Sequence, residues 1–181
     1  MKKTLRLVIT YECNKNCKGC CNKQPLHRSN KILLFDWDFT NYDEVVITGG
    51  EPMLKKPLVE AIGYLISILR GYPNYPSKLI LYTADCSNVP FLIRLMYTYT
   101  GLTVTLHEQS DVYNFLYLNY ALLRVKRFLQ DNNRTLRLNV FKNVEIPGSV
   151  DLSLWKIKYN MEWILNCPLP ANETIRRLPG T

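Results

Sequence analysis

No apolar run in this 181-residue chain approaches the length that crosses a bilayer; uninterrupted stretches such as Tyr64-Leu65-Ile66 are far too short. That excludes a membrane-spanning helix, and no membrane partner is expected. Internal repeats and low-complexity tracts are also missing, which excludes solenoid and propeller architectures. Nor is there a disulfide framework of the kind that staples small secreted domains. Four of the six cysteines crowd into residues 13–21 instead of spreading through the chain. Reduced thiols in a cytosol are the expectation. The first ten residues imitate a signal peptide, with Lys2 and Lys3 before an apolar stretch, but Arg6 interrupts it. Glu12 and the cysteines follow at once, with no cleavage-type segment. The stretch reads as a first strand, and the protein as cytoplasmic.

What is present suits one domain with a sizeable core, since 47% of the residues are hydrophobic. The formal net charge of +8 fits an acidic partner, whether nucleic acid, nucleotide or an acidic protein face. The charge is scattered, with mild clusters at Lys126-Arg127 and Arg176-Arg177, so a solvated basic surface is the favoured account of it.

The chemistry-bearing feature is Cys13-Asn-Lys-Asn-Cys17-Lys-Gly-Cys20. Three thiols this close, interleaved with Asn, Lys and Gly, make a soft-donor nest suited to an iron–sulfur cluster or zinc. Offsets of four and three also line a helix face, but Asn14, Lys15, Asn16, Lys18 and Gly19 make a poor helix interior. Three donors leave one iron of a cubane cluster open to a small molecule. A structural zinc normally closes with four protein ligands, for which Cys21 is available. Its side chain would tend to point away from that of its neighbour Cys20. Cys86 and Cys167 have no second Cys or His beside them.

Short β-type runs recur at Thr4–Thr10, Glu44–Thr48, Lys78–Thr83, Leu102–His107, Thr135–Phe141 and Leu152–Tyr159. Helical patterns lie between most of them. After Pro57, residues Leu58, Ala61, Ile62, Leu65 and Leu69 form an apolar stripe that Gly71 would stop. Asn88 precedes a helix through Phe91–Tyr97, and Ser110 or Asp111 caps a longer one to about Leu129. On that helix Phe115, Leu118, Leu122 and Leu129 share a side, while the tyrosines of 97–99 and 113–120 read as packing.

Alternating strands and helices argue for parallel βαβ units, and six strands are too few for an eightfold barrel. The expected fold is α/β, an open partial (β/α)6 barrel over residues 1–160. Residues 161–181, with Trp163, Cys167, Pro168, Pro170 and Pro179, are expected as an extended tail on or near the barrel opening. Chemistry in such sheets gathers at the carboxyl ends of strands. Cys13, Gly49-Gly50-Glu51-Pro52, Thr83, Thr105, His107, Arg137 and Asn139 all fall there.

The run Val45-Val46-Ile47-Thr48-Gly49-Gly50-Glu51-Pro52 is a buried strand that breaks into two glycines, a carboxylate and a proline. Glycines let backbone approach a ligand closely, and Glu51 can accept from an ammonium group; a plain strand-to-loop turn uses the same residues. Together with Thr10–Asn22, this stretch resembles the radical S-adenosylmethionine enzyme superfamily, whose members carry a Cys-x3-Cys-x2-Cys loop after the first strand and a Gly-Gly-Glu-Pro-like stretch after the second. Leu81-Tyr82-Thr83-Ala84-Asp85 resembles the family's third-strand end, and Leu136-Arg137-Leu138-Asn139-Val140 a fifth-strand segment.

The resemblance implies a [4Fe-4S] cluster held by Cys13, Cys17 and Cys20, with S-adenosyl-L-methionine on the open iron. Reductive cleavage would give methionine and a 5′-deoxyadenosyl radical that abstracts hydrogen from a substrate. It implies further that Gly49, Gly50, Glu51 and Pro52 hold the cofactor's methionine end, that Thr83, Thr105, Arg137 and Asn139 meet its ribose and carboxylate, and that a flavodoxin or ferredoxin donates the electron. Many members place an aromatic residue just before the third cysteine, where this chain has Gly19. Gly19-Cys20-Cys21-Asn22-Lys23 instead resembles the small activating enzymes of anaerobic ribonucleotide reductase, which act on a large glycyl-radical protein. The 7-carboxy-7-deazaguanine synthases, which act on a small molecule, share the small size and the Thr-Gly-Gly-Glu-Pro run. A zinc-containing nucleic-acid-binding module is the reading from a different class.

Overall fold

The computed structural model describes residues 3–23, 39–40, 42–164 and 168–178. Cys167 and Pro179 of the expected tail lie outside them. The described elements run β1 (Thr4–Val8), β2 (Glu44–Thr48), α1 (Lys56–Leu69), β3 (Lys78–Thr83), α2 (Val89–Leu95), β4 (Gly101–Leu106), α3 (Ser110–Arg124), α4 (Lys126–Asp131), β5 (Thr135–Phe141), β6 (Trp155–Met161) and β7 (Glu173–Arg177). The fold is α/β, with one all-parallel sheet in the order β6-β5-β4-β3-β2-β1-β7. All six expected strands are present. The seventh comes from the expected tail.

The chain packs as two compact units, Met1–Leu81 with Trp163–Thr181, and Tyr82–Glu162. In the first unit β1 lies between β2 and β7, paired in parallel with both, and β3 continues beyond β2. Leu5, Leu7, Val45, Val46, Ile47, Leu79, Ile80 and Leu81 are all buried. Near-continuous Val, Ile and Leu runs are what strands covered on both faces require. β7 has one core side chain, Ile175, and is held by backbone pairing and by the Arg6–Glu173 ion pair. Pro57 stands in the first turn of α1, where its missing N–H costs nothing. The helix buries Val59, Ile62, Gly63 and Ile66; of the expected stripe only Ile62 is buried, and Ala61 is exposed.

In the second unit β4 pairs with β5 and β5 with β6, again in parallel. Asn88 caps α2, its Oδ1 accepting from Phe91 N at 3.1 Å. Asp111 holds the loop before α3, its carboxylate accepting from His107 N at 2.9 Å and Glu108 N at 3.2 Å. The expected long helix breaks at Val125 (φ −107°, ψ 19°) into α3 and α4. Phe115, Leu118, Leu122 and Leu129 are buried as expected. Trp155 anchors β6 on α3: its ring lies 5.3 Å from Phe115, and its Nε1 donates to Asn119 Oδ1 at 2.8 Å. Asn119 Nδ2 then donates to the Asp151 carbonyl at 3.0 Å. This anchor sits at the end of a β5-to-β6 connection that holds no helix, consistent with the short spacing in the sequence.

Candidate functional site

Cys13, Cys17, Cys20 and the Gly49–Pro52 turn belong to the first unit, and they follow the carboxyl ends of the adjacent strands β1 and β2. Beyond β1, Ile9 N donates to Thr48 O at 3.0 Å and carries the ladder one residue further. The chain from Thr10 to Glu12 then lies against the turn after β2. Gly50 N donates to Thr10 O at 2.7 Å, and Glu51 N to Glu12 O at 2.8 Å. A Cβ at Gly49 would fall on the Thr10 carbonyl, and one at Gly50 on the Glu12 carbonyl, both well inside 3.0 Å. Gly49 also has φ +146°, open to glycine and to few other residues. The close approach that requires these glycines is therefore to the stem of the cysteine loop.

Two further contacts brace the stem. Thr10 Oγ1 accepts from Glu12 N at 3.1 Å, and Lys55 Nζ meets Glu12 Oε1 at 2.8 Å. Glu51 is 1% exposed, and its Oε1 accepts from Met53 N at 3.0 Å, capping the short 3-10 turn Pro52–Lys55. The carboxylate expected to meet an ammonium group thus has a helix-capping duty, and Pro52 opens that turn.

On the loop itself Cys13 is exposed and Cys17 and Cys20 are half-buried, none of the three in a disulfide. Lys15 N donates to Cys13 Sγ at 3.4 Å, and Lys23 Nζ to Asn16 Oδ1 at 2.7 Å. Lys23 N donates to Cys20 O at 3.0 Å in the 3-10 turn Cys21–Lys23. Cys21 is disulfide-bonded, against the expectation of reduced thiols, and so is not free to serve as a fourth zinc ligand. Among the described residues no three His, Cys, Asp or Glu side chains are arranged to hold a metal ion. As a donor set, three thiols on eight residues fit the soft-ligand chemistry of an iron–sulfur cluster. Gly19 has a neighbour that the sequence did not reveal. A Cβ there would collide with the Trp163 side chain, so the indole of the tail occupies the space beside Gly19.

Thr83, Thr105, Arg137 and Asn139 belong to the second unit. Thr83 is buried at the end of β3, and its Oγ1 accepts from Asp85 N at 2.9 Å. Thr105 and Asn139 are register partners, with Asn139 Nδ2 donating to Thr105 Oγ1 at 3.2 Å. Arg137 stands two residues earlier, opposite Thr103. The His107 ring packs on Phe141, with centroids 4.9 Å apart. The tyrosines divide: Tyr99 is fully buried, whereas Tyr97, Tyr113, Tyr117 and Tyr120 are exposed, Tyr97 packing on Phe128 with centroids 4.8 Å apart and Tyr113 on Tyr117 at 4.9 Å. No helix among the described residues is long and apolar enough to cross a membrane.

No protein-family model matches the chain, and neither a curated protein nor a solved structure matches it.

Proposed function

We propose that the protein is a radical S-adenosylmethionine enzyme of open partial-barrel fold, with Cys13, Cys17 and Cys20 as the ligands of a [4Fe-4S] cluster. The observation that carries this reading is the presence of three thiols, Cys13, Cys17 and Cys20, on one loop after β1, none of them in a disulfide. The double hydrogen bond from Gly50 and Glu51 to Thr10 and Glu12 supports it by joining the two motifs of the resemblance at the ends of β1 and β2. When bound and reduced, the cluster supplies the electron that cleaves S-adenosylmethionine to methionine and a 5′-deoxyadenosyl radical.

The chain's own residues have narrower duties. Gly49, Gly50, Glu12 and Lys55 fix the root of the loop, so that the three thiols are presented from a defined starting point. Trp163 stands against the loop at Gly19 and limits how that part of the loop can move. Its indole also offers an aromatic ring at the position where many members carry one in the loop itself. An external one-electron donor of the flavodoxin or ferredoxin type completes the system. A glycyl-radical protein is the macromolecular substrate suggested by the Gly19–Lys23 resemblance.

Anaerobic reconstitution tests the reading. About four irons and four sulfides per chain are expected. With dithionite and S-adenosylmethionine, 5′-deoxyadenosine should then form slowly, even without substrate. Zinc in place of iron, with no 5′-deoxyadenosine, would overturn it and favour the binding-module reading.

A further inference from the structure

The solvent face of α3 is aromatic where a helix surface is ordinarily charged. Tyr113, Tyr117 and Tyr120 are each more than half exposed, and Arg124 follows them as an exposed residue. Their spacing of four, three and four residues puts all four on one stripe, about 16 Å long. Tyrosine is a poorer helix former than lysine or glutamate, so propensity does not account for three of them in solvent. Scattered exposed apolar side chains need no explanation, but adjacent ones do. At about 200 Å² for a whole tyrosine side chain, these three present about 350 Å² of surface. That matches the largest patch a monomer ordinarily carries. The Tyr113 and Tyr117 hydroxyls meet at 2.8 Å and their rings at 4.9 Å, so part of the platform is already ordered. Such ordering lowers the side-chain entropy a ligand must remove on binding.

The charge beside the stripe is positive. The single acid of α3, Asp111, is buried at its start and accepts from His107 N and Glu108 N. At the other end stand Arg124, Lys126 and Arg127. Asp131 meets Arg127 at 3.7 Å, an exposed pair that is weak against three cations. Lys126 Nζ donates to Ser153 Oγ at 3.4 Å, a neutral partner that leaves its charge in place. On α4 ring and guanidinium meet again, with Tyr97 packed on Phe128 and the Arg134 guanidinium 5.9 Å from the centre of the same ring. Rings followed by cations complement a polyanion that itself carries flat rings. An acidic peptide supplies the charge without the rings, and a duplex keeps its ring faces stacked inside. Single-stranded nucleic acid presents both.

We propose that this surface binds single-stranded nucleic acid, with unpaired bases stacked on the α3 tyrosines and phosphates held by Arg124 and Arg127. The inference does not depend on the cluster.

Fluorescence anisotropy of the full chain with fluorescein-labelled oligothymidylate and oligouridylate of twelve nucleotides tests it and separates DNA from RNA. A duplex of the same length and an oligoglutamate should each compete at least tenfold more weakly than the single strand. Tyr117→Ala and Tyr120→Ala should each weaken binding about fivefold, the low end of what one stacked base contributes. Tyr120→Phe keeps the ring and should bind as the parent does. Arg124→Gln with Arg127→Gln should weaken binding and reduce the slope of log affinity against log salt by about 1.4. Tyr64→Ala removes an equally exposed tyrosine from α1 in the first unit and should change nothing. Cys17→Ala should also retain binding, which separates failure of this surface from failure of the cluster. Unchanged affinity when Tyr117 and Tyr120 are both replaced by Ala would overturn the proposal. So would a duplex or oligoglutamate competing as well as the single strand, since charge alone would then explain the binding.

Discussion

Gly50→Ala isolates the clamp between the two motifs. Gly49 is the less clean target, because its φ of +146° would add backbone strain to the collision. At Gly50 the contact itself is what changes. The new methyl would meet the Glu12 and Tyr11 carbonyls, which belong to backbone and cannot swing away as a side-chain tip does. Relief requires residues 11–12 to move off the turn, which lengthens the bonds from Gly50 N to Thr10 O and Glu51 N to Glu12 O. Two backbone hydrogen bonds at about 1 kcal/mol each, with overpacking of about 1 kcal/mol at the low end of its range, give about 3 kcal/mol. For a chain of this size that corresponds to a fall of about 6–12 °C in melting temperature. Scanning calorimetry of the metal-free protein reads the effect. Gly71→Ala is the control, since a Cβ there meets nothing within 4 Å. Its cost should stay within about 0.5 kcal/mol. Iron loading should fall in Gly50→Ala and hold in Gly71→Ala, because only the first displaces the root of the cysteine loop. If both variants melt with the parent, the close approach at Gly50 is not a constraint and the clamp is wrong.

Cys17→Ala should lose the cluster on reconstitution while Cys86→Ala, whose thiol is buried, keeps it; full iron content in Cys17→Ala would sink the ligand assignment. Glu51→Gln keeps an oxygen to accept from Met53 N but removes the charge, so it should melt near the parent and bind S-adenosylmethionine more weakly, as equilibrium dialysis would report. Asn119→Ala leaves Trp155 Nε1 and the Asp151 carbonyl unpartnered and should cost about 2–4 kcal/mol, with faster amide exchange in β6. Ser153 N donates to the Asp151 carboxylate at 2.9 Å and holds its pKa below the usual 3.8. A lowered carboxylate pKa stabilises above the unfolded value and is lost as pH falls through the folded one. Asp151→Asn should therefore lower the melting temperature slightly at neutral pH, and the difference should vanish in acid; a difference that grows in acid would contradict this.

The strands were legible because they are buried apolar runs bounded by breaks, and β2 and β3 begin and end where the pattern said they would. β7 was not legible. Its sequence, Glu173-Thr174-Ile175-Arg176-Arg177, offers one core side chain and ends in what looked like a surface charge cluster. Its cause is the pairing with β1, some 170 residues earlier, which no local pattern carries. On α3 two stripes interleave: Phe115, Leu118 and Leu122 face the core, while Tyr113, Tyr117 and Tyr120 face solvent. Both have helical spacing, so periodicity alone could not distinguish them. α1 failed in the same way, with apolar residues on more than one side and only Ile62 common to the expected and observed faces. The Gly-Gly pair was legible as a close backbone approach. Its partner was not, because the residues it meets lie some 38 to 40 positions away along the chain.

That partner changes what the second motif implies. Gly49 and Gly50 have a sufficient structural cause in the carbonyls of Thr10 and Glu12, and Glu51 has one in Met53 N; none of these needs a ligand. The motif positions the loop whatever the loop then does. Cys86, 2% exposed, fills the core as a small apolar residue, whereas Cys13 is exposed and Cys17 and Cys20 are half-buried. Exposed thiols contribute little to packing and are open to oxidation. Cys13, Cys17 and Cys20 share an eight-residue loop clamped at its root by two backbone hydrogen bonds, an arrangement that a soft metal taking them as ligands would explain. The functional weight of the proposal therefore rests on the cysteines, and iron content in Cys17→Ala is its sharpest test. Loss of cofactor affinity in a glycine variant would be ambiguous by comparison, since displacing the clamp moves the thiols as well.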